Sequence, residues 1–284
     1  MPVDLYIGGA EHAVGHLIYS RFWTKFLNDL GVCPVDEPFQ RLVNQGMILG
    51  EDGRKMSKRY GNVVNPNDVI EKVGADALRI YEMFMGPIEQ SKPWNTTSLE
   101  GSFRFVKRIW RLYFDENDNL RESITDDQPD DETNRLLHKS IDKITRDTEA
   151  LQFNTAISQM MIFVNEMTKK ESLPRQAMEA FAIMLGPYAP HLSEELWEAL
   201  GHDGGITRVP YPTVEESWLV EDSLTIPVQV NGKVRAKLEV PADILEDAIL
   251  ELAQADERVA AFIEGKQIRK LLYIPGRLVT IAVS

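Results

Sequence analysis

The sequence predicts a protein of the α/β plus all-α class, with an α/β segment first, a long helical region next, and a small α/β domain last. An apolar run that ends in a glycine pair, Val3–Gly9, stands directly before a helical pattern over Glu11–Leu30. From Asn65 to about Leu200, apolar residues recur at helical spacing. Beyond residue 221 the pattern changes to two hairpins separated by a helix.

The composition is that of a globular protein. Of 284 residues, 43% are hydrophobic, which is enough apolar material for the cores of two or more domains. No apolar run approaches the roughly 20 residues of a membrane span, and no signal pattern is present, so we expect a cytoplasmic protein with no membrane partner. The single cysteine, Cys33, excludes an internal disulfide framework and a multi-cysteine zinc site. A net charge of −13 excludes a globally basic nucleic-acid binder, so any contact with nucleic acid has to be local.

The first segment contains a strand, a tight turn and a helix, and Gly31 ends the helix. A second apolar run, Leu42–Leu49, predicts another strand, and we expect both strands inside a doubly wound sheet. The run leads through Gly50–Gly53 into the basic cluster Arg54–Arg59. This order places a mobile loop directly after a strand.

Helices are predicted from residue 65 onward. Asn65 is placed to cap a helix that has Pro66 at its first position and Gly74 as its stop, and another helix runs over Ala75–Met85. The next helix has capping-box spacing at Thr97 and Glu100, and its apolar stripe is Phe103, Val106, Trp110 and Tyr113, with Phe103 and Trp110 in the core.

An acidic stretch with little periodicity, Asp115–Glu132, predicts a linker before a helix bundle. Gly186–Pro190 interrupts the bundle, and a last helix over Ser193–Leu200 ends at Gly201. We expect the methionines of the bundle in its core. The apolar positions at helical spacing are Leu137, Ile141, Ile144, Leu151, Ile157, Met160, Met161, Val164 and Met167, continued by 177–185.

The last domain is predicted from turn dipeptides. Asn231-Gly232 and Pro275-Gly276 each lie between two apolar runs, and a helix from about Asp243 to Ala255 separates the hairpins. The four strands are Thr225–Val230, Val234–Val240, Ile268–Ile274 and Leu278–Val283.

The basic cluster is the first candidate site. Lys55 and Lys58 lie on either side of a small hydroxyl, Ser57, on a loop flanked by glycines. Two lysines so placed can gather around a polyphosphate and stabilise charge that develops on it. The alternative is a solvated basic turn, which is the commoner state of an isolated cluster.

The motifs resemble those of a known family. Lys55-Met56-Ser57-Lys58, followed by Gly61–Pro66, resembles the signature loop of class I aminoacyl-tRNA synthetases of the leucyl, isoleucyl and valyl branch. Tyr6–Ala13 resembles the leucyl branch in particular. Further segments that resemble this family, in its order, are Gly74–Arg79, Ser91–Asn95, Ala189–Trp197 and Gln229–Arg235.

The resemblance implies four regions. These are the second half of a Rossmann-like nucleotide-binding domain over 1–64, a helical stem-contact region over 65–115, an anticodon-binding-like bundle over 133–220, and a small α/β tRNA-binding domain over 221–284. The implied function is part of a leucine-tRNA ligase, with ATP (accompanied by Mg²⁺), leucine and tRNA as substrates. The alternative is a tRNA-binding module without catalytic duty, against which the retained basic loop argues.

The resemblance also implies roles for single residues. Lys55 and Lys58 would be catalytic, and Met56 and Ser57 would contact the nucleotide. Gly8 and Gly9 would let adenosine approach the backbone, Glu11 and His12 would contact nucleotide or substrate, and His16 would line the leucine pocket. His12 and His16 could instead be a structural pair or two metal ligands, but no third ligand is near in the sequence, so we expect no metal.

Two departures from the family pattern matter. Arg59 stands where the signature loop usually ends in serine, so the contact expected from that serine is in doubt. No His-x-Gly-His segment is present, because His12–His16 has one residue too many, and the inserted editing domain is absent. We therefore expect the amino-terminal half of the active site on the same chain or on a separate subunit, and no activity from this chain alone.

Basic residues predict where tRNA binds. A stripe on the helix after residue 96 would contact phosphates of the tRNA stem, with a solvated helix face as the alternative. The two terminal hairpins would hold the outer corner of tRNA, with Arg235 and Lys237 on one strand face. The stripe is Arg104, Lys107, Arg108 and Arg111, and the hairpin set is Lys233, Arg235, Lys237, Lys266, Arg269 and Lys270.

Overall fold

The computed structural model describes residues 1–220, 223–241 and 244–284, which form two compact units, Met1–Glu215 and Glu216–Ser284. The mixture of helix and sheet agrees with the predicted class. The predicted domain boundary at 221 and helix start at Asp243 lie outside the described residues. Within the described part, every helix is too short or too polar to cross a membrane.

The first unit begins with two parallel strands, β1 (Val3–Gly9) and β2 (Phe39–Gln45), paired so that Gly8 is opposite Asn44. Between them the chain forms a 3₁₀ turn (Ala10–His12), a π turn (Ala13–Leu17) and α1 (Ile18–Asp29). The predicted helix is therefore present, although its first turns are not α-helical. Gly31, with φ of 70°, follows its end as predicted.

The predicted strand Leu42–Leu49 was wrong in its extent. β2 ends at Gln45, and a separate strand, β3 (Ile48–Leu49), pairs with β4 (Lys92–Pro93). The partner changes at Gly46, whose N–H donates to the carbonyl of Ile88 at 2.7 Å instead of continuing the β1–β2 ladder. One apolar run thus contributes strands to two different sheets.

Three helices follow: α2 (Pro66–Val73), α3 (Ala75–Phe84) and α4 (Thr96–Tyr113). Asn65 caps α2 with Pro66 at its first position, and Gly74 ends it, which confirms those predictions.

The capping box predicted for α4 was wrong, because Asn95 is the cap and its Oδ1 accepts from Ser98 N at 2.8 Å. Phe103 and Trp110 are only partly buried, since the indole N–H of Trp110 donates to Asp118 at 3.0 Å. The buried face of α4 is formed by Leu99, Phe105, Ile109, Leu112 and Tyr113.

The bundle consists of α5 (Asp131–Glu149), α6 (Phe153–Met167), α7 (Arg175–Leu185) and α8 (Pro190–Ala199). The predicted core positions are confirmed at Leu137, Ile141, Ile144, Ile157, Met160, Val164 and Met167, with Met161 partly buried.

Other bundle predictions were wrong. Leu151 lies in the α5–α6 turn at φ of 59°, and α8 begins at Pro190 instead of Ser193 because proline suits the first helical position. The predicted linker contains β5 (Ile124–Thr125), which pairs with β6 (Leu173–Pro174) and buries Ile124. A 3₁₀ turn (Ile206–Arg208) follows α8.

The second unit starts with a 3₁₀ turn over Glu216–Trp218. Its further elements are β7 (Ser223–Val230), β8 (Lys233–Pro241), α9 (Glu246–Ala255), α10 (Glu257–Ile263), β9 (Ile268–Ile274) and β10 (Leu278–Val283). The four strands form a sheet in the order β8-β7-β10-β9, with β7 and β10 parallel. The predicted hairpins are confirmed, and Asn231 and Gly232 form the first turn with φ of 49° and 77°. The helix α10 was not predicted, and Asp256 caps it.

Candidate functional site

A cleft of about 560 Å³ lies at the carboxyl ends of the parallel strands β1 and β2. It is lined by Glu11, by residues 41–47 and by Glu89 and Ser91. The carboxyl edge of a parallel sheet is where open α/β folds bind ligands. A neighbouring cleft of about 380 Å³ shares Glu11 and contains Glu82. Burial raises the pKa of Glu82, although the nearby charge of Arg79 acts in the opposite direction.

The predicted residues Gly8 to His16 surround the end of β1. A Cβ on Gly9 would lie 2.1 Å from a carboxylate oxygen of Glu11, so that side chain lies directly against the glycine backbone. His16 stacks on Tyr6 at 5.4 Å between ring centroids, and Tyr6 contacts Phe39 at 4.6 Å. His12 is edge-on to His16 at 6.4 Å. His16 therefore belongs to a small aromatic cluster beside the cleft.

The basic loop (residues 50–61) is a compact turn. Gly50 N donates to Arg54 O at 2.8 Å, and Leu49 and Lys55 form an antiparallel bridge. Lys55 and Lys58 are exposed, and among the described residues neither ammonium group has a hydrogen-bond or ion-pair partner. Two uncompensated positive charges are thus presented to solvent.

A clasp formed by the side chains of Asn62 and Asp52 fixes this loop. Asn62 Oδ1 accepts from Ser57 N at 2.8 Å, while Asn62 Nδ2 donates to Asp52 Oδ1 at 3.1 Å. Asp52 also accepts from the backbone N–H and the guanidinium of Arg54, at 3.0 and 2.9 Å. Hydrogen bonds from the Arg54 backbone, Asn62 and the Arg54 side chain lower the pKa of Asp52 to about 2. The clasp therefore ties both ends of the loop together.

The other two residues of the motif have structural contacts. Met56 packs against a buried cluster of Val69, Leu78, Tyr81, Trp94 and Leu99. The hydroxyl of Ser57 accepts from Arg59 N at 3.2 Å and so caps a 3₁₀ turn over Lys58–Tyr60. In the described part of the chain, no hydrogen bond, ion pair or ring contact joins the basic loop to Gly8–His16.

Two further side chains, both on α3, connect it to the start of α8. Asp76, nine-tenths buried, accepts from Leu192 N at 2.7 Å and pairs with His191 Nδ1 at 2.9 Å. Arg79, one turn later, donates to the carbonyls of Pro187 and Tyr188 at 2.8 and 3.2 Å. The segments that resemble the family at 74–79 and 189–197 are thus in direct contact.

The predicted basic stripe on α4 is divided between different surroundings. Arg104 lines a cleft of about 540 Å³ beside Tyr81 and Ser98, and Lys107 lies 4.2 Å over the ring of Phe103. Arg108 donates to Asn165, and Arg108 and Arg111 line a separate cleft farther along the helix.

In the second unit, the prediction that Arg235 and Lys237 share a strand face was wrong. The β7–β8 register shifts at Val228/Gln229, so Arg235 is an extra residue in β8. Its guanidinium lies 3.8 Å over the ring of Phe262 in α10. Lys266 donates to the carbonyl of Phe262 and Arg269 to Ser284, whereas Lys233, Lys237 and Lys270 are exposed.

Within the described residues, no group of three or more His, Cys, Asp or Glu side chains is arranged to hold a metal ion.

Comparison with known families agrees with this arrangement. The family described as "tRNA synthetases class I (I, L, M and V)" matches residues 2–92, and the "Anticodon-binding domain of tRNA ligase" matches residues 130–250. The chain thus combines a class I tRNA synthetase (I, L, M and V) domain with an anticodon-binding domain of tRNA ligases.

One solved structure that the chain resembles is Agrobacterium radiobacter K84 agnB2 LeuRS, in a ternary complex with tRNA and LeuAMS. The sequences are 33% identical and the TM-score is 0.77. The match covers 100% of this chain and 38% of that LeuRS chain, so this chain spans well under half of its length.

Sequence reasoning gave no role to Asn62, Asp52, Gly46 or Asp76. Asn62 lies in a segment that resembles the family, and an amide directly after the left-handed Gly61 is a local signal of a turn. The contacts of Gly46 and Asp76 are with residues more than 40 positions away, which no local pattern indicates.

Proposed function

We propose that this chain is part of a leucine-tRNA ligase, which activates leucine with ATP and transfers it to tRNA. The observation that carries the proposal is the pair of exposed, uncompensated ammonium groups of Lys55 and Lys58, on a loop held by the Asn62–Asp52 clasp. The leucyl assignment is supported by the similarity to agnB2 LeuRS and by the sequence over Tyr6–Ala13.

The chemistry requires positive charge at the leaving phosphates. Attack of the leucine carboxylate on the α-phosphorus of ATP moves negative charge onto departing pyrophosphate. Fixed ammonium groups stabilise that charge more strongly in the transition state than in the substrate complex. Lys55 and Lys58 are the groups assigned to this role, and Arg59 adds a third exposed cation to the loop.

The remaining nucleotide contacts belong at the carboxyl edge of β1 and β2. The Gly8-Gly9 backbone, Glu11 and His12 would receive adenosine, and the aromatic cluster that includes His16 would receive the leucine side chain. Because the Met56 side chain is occupied by apolar packing, its nucleotide contact would come from the backbone. Ser57 would contribute its hydroxyl in addition to capping the 3₁₀ turn.

We assign tRNA binding to the α4 stripe and to the exposed lysines of the second unit. Phosphate contacts of this kind position RNA without reading its sequence. The match to an anticodon-binding family and the tRNA in the agnB2 LeuRS complex support this assignment.

The proposed partner is the amino-terminal half of the nucleotide-binding domain, on the same chain or as a subunit. The π turn, α1 and the residue after it expose apolar side chains at four-residue spacing, among them Val14 (80%), Phe22 (60%) and Leu30 (61%). Beside this row, Arg21 and Lys25 are paired to Glu37. A continuous apolar face of this size is typical of an interface with another folded segment.

Leucine-dependent ATP–pyrophosphate exchange tests the function. We expect none from the 284-residue chain alone and activity after the amino-terminal half is added, because orientation by the missing groups accounts for several kcal/mol of the barrier. In the complemented enzyme, Lys55→Ala and Lys58→Ala should lower kcat more than leucine affinity. Lys169→Ala, which removes a lysine already paired with Glu166, is the matched control and should leave exchange unchanged.

Three results would contradict the proposal. Vigorous exchange by the chain alone would show that no further segment is needed. Normal turnover of both lysine variants would remove the assigned role of the basic loop. Tight tRNA binding without exchange, even after complementation, would favour the non-catalytic tRNA-binding module instead.

A further inference from the structure

A cleft of about 550 Å³ on the helical region gathers guanidinium groups. This basic cleft lies between the carboxy-terminal half of α4, residues 121–123 and the segment 167–173 that follows α6. Its floor is apolar, since Leu112, Met167 and Leu173 are buried. Its charged lining consists of Arg108, Arg111, Arg121, Lys170 and Glu171.

Two of the three arginines of the cleft are held by neutral acceptors. Arg108 donates to the amide oxygen of Asn165, and Arg121 Nη1 donates to the carbonyl of Arg111 at 3.0 Å. Among the described residues, the guanidinium of Arg111 has no hydrogen-bond or ion-pair partner. A neutral acceptor fixes a guanidinium in position without cancelling its charge, so donors and charge both stay available to a ligand.

Lys170 differs from these arginines. Its ammonium lies 3.1 Å from Asp130 and 2.9 Å from Glu132, so carboxylates compensate its charge. The cleft thus has three guanidinium groups that form no ion pair with any described residue, against one lining carboxylate, Glu171, in a chain whose net charge is −13. Local positive charge on an acidic protein indicates a specific anionic ligand.

We propose that the basic cleft binds consecutive phosphates of an RNA backbone, with Arg121 as a contact residue in addition to Arg108 and Arg111. This inference rests on the proposed function, because it takes the RNA to be the tRNA substrate. Guanidinium forks match phosphate oxygens in pairs, and the apolar floor suits the sugars and base edges between phosphates. The cleft also continues the line of Arg104 and Lys107 along α4.

The test is tRNA binding by the 284-residue chain, measured by fluorescence anisotropy over a range of salt. Arg108→Gln, Arg111→Gln and Arg121→Gln should each weaken binding about three- to tenfold near 0.1 M salt and lower the slope of log K against log salt by about one. Arg146→Gln is the matched control, because its guanidinium is bound by the carboxylate of Asp142, and its binding should be unchanged. Unfolding curves verify that each variant is folded.

Inorganic phosphate distinguishes RNA from a small anion as the ligand. We expect it to compete only weakly with tRNA. If phosphate saturates a site that needs Arg121 while the three substitutions leave tRNA affinity intact, the RNA assignment is overturned. If tRNA binding does not depend on the three arginines, only the proposal for the basic cleft is refuted. If the chain binds no tRNA, the proposed function is refuted as well.

Discussion

Gly46 allows the most direct test of how this chain positions its basic loop. A Cβ at this position would lie 2.1 Å from the backbone carbon of Gln90, 2.3 Å from its oxygen and 2.4 Å from Ser91 N. Ordinary carbon contacts begin near 3.4 Å, so Gly46→Ala forces the two segments apart by about 1.3 Å. Because the contacted atoms are backbone, trimming the side chain of Gln90 gives no relief.

The expected destabilisation can be worked from these contacts. Overpacking of a tight site costs about 1–3 kcal/mol. The same displacement breaks the bonds from Gly46 N to Ile88 O and from Lys92 N to Met47 O, now 2.7 and 3.0 Å, and each is worth about 1 kcal/mol. Gly46→Ala should therefore lower the free energy of unfolding by about 3–5 kcal/mol.

Urea unfolding measures this loss, and Gly101→Ala is the control. Gly101 lies within α4, and a Cβ there would meet nothing closer than Arg104 Nη2 at 3.7 Å. Since alanine is preferred over glycine in a helix by about 1 kcal/mol, the control should be neutral or more stable. Equal urea midpoints for Gly46→Ala and the starting chain would refute the close-approach argument.

Four further outcomes are expected. Asn62→Ala removes a hydrogen bond that lowers the pKa of Asp52, so carbon-13 NMR should show that this pKa rises from about 2, and KM for ATP should rise in the complemented enzyme. Asn67→Ala, at the start of α2, is the control. An unchanged pKa of Asp52 in Asn62→Ala would contradict the role of the clasp. Because the folded pKa of Asp52 lies below its ordinary 3.8, the clasp contribution is fully present above pH 3.8 and is lost as pH falls through about 2, which amide exchange at Arg54 should report. Asp76→Ala leaves Leu192 N without its acceptor and should destabilise the protein by about 1–3 kcal/mol, and Asp76→Asn should destabilise it less. If both variants are as stable as the unchanged chain, the proposed structural role of Asp76 is wrong. In the monomeric chain, amides of Leu5–Ile7 and Val43–Gln45 should exchange faster than those of Ile141–Ile144, and equal protection would show that the β1–β2 sheet needs no partner.

The parts of the fold that sequence predicted are those with local causes. The ends of α2 were predictable from Asn65, Pro66 and Gly74, because each residue acts within one turn of its own position. The same holds for the Asn231-Gly232 turn, whose positive φ values suit these residue types. The exposed state of Lys55 and Lys58 also follows from a short polar loop between glycines.

Two of the errors arose where a distant segment decides the structure. The apolar run 42–49 has the pattern of one strand, but from Gly46 onward its second half pairs with residues 88–93. Strict alternation along β8 fails at Arg235 because the bulge depends on the register with β7. Both outcomes depend on strand pairing, which a linear pattern does not specify. The capping error was local, because Asn95, two residues before Thr97, accepts from Ser98 N and is the cap of α4.

A single helix, α4, connects the basic loop to the residues to which we assign RNA binding. The carboxylate of Glu51, at the base of the loop, accepts from Thr96 Oγ1 at 2.7 Å, and Thr96 is the first residue of α4. Arg111, in the basic cleft, lies 15 residues farther along, which corresponds to about 22 Å of α-helix. Because α4 is buried along one face, its length is fixed, so a strand of RNA in the basic cleft would be held at a constant distance from Lys55 and Lys58. If the two proposed roles hold, the helix would set RNA bound at one end at a defined position relative to the lysines proposed to bind phosphate at the other.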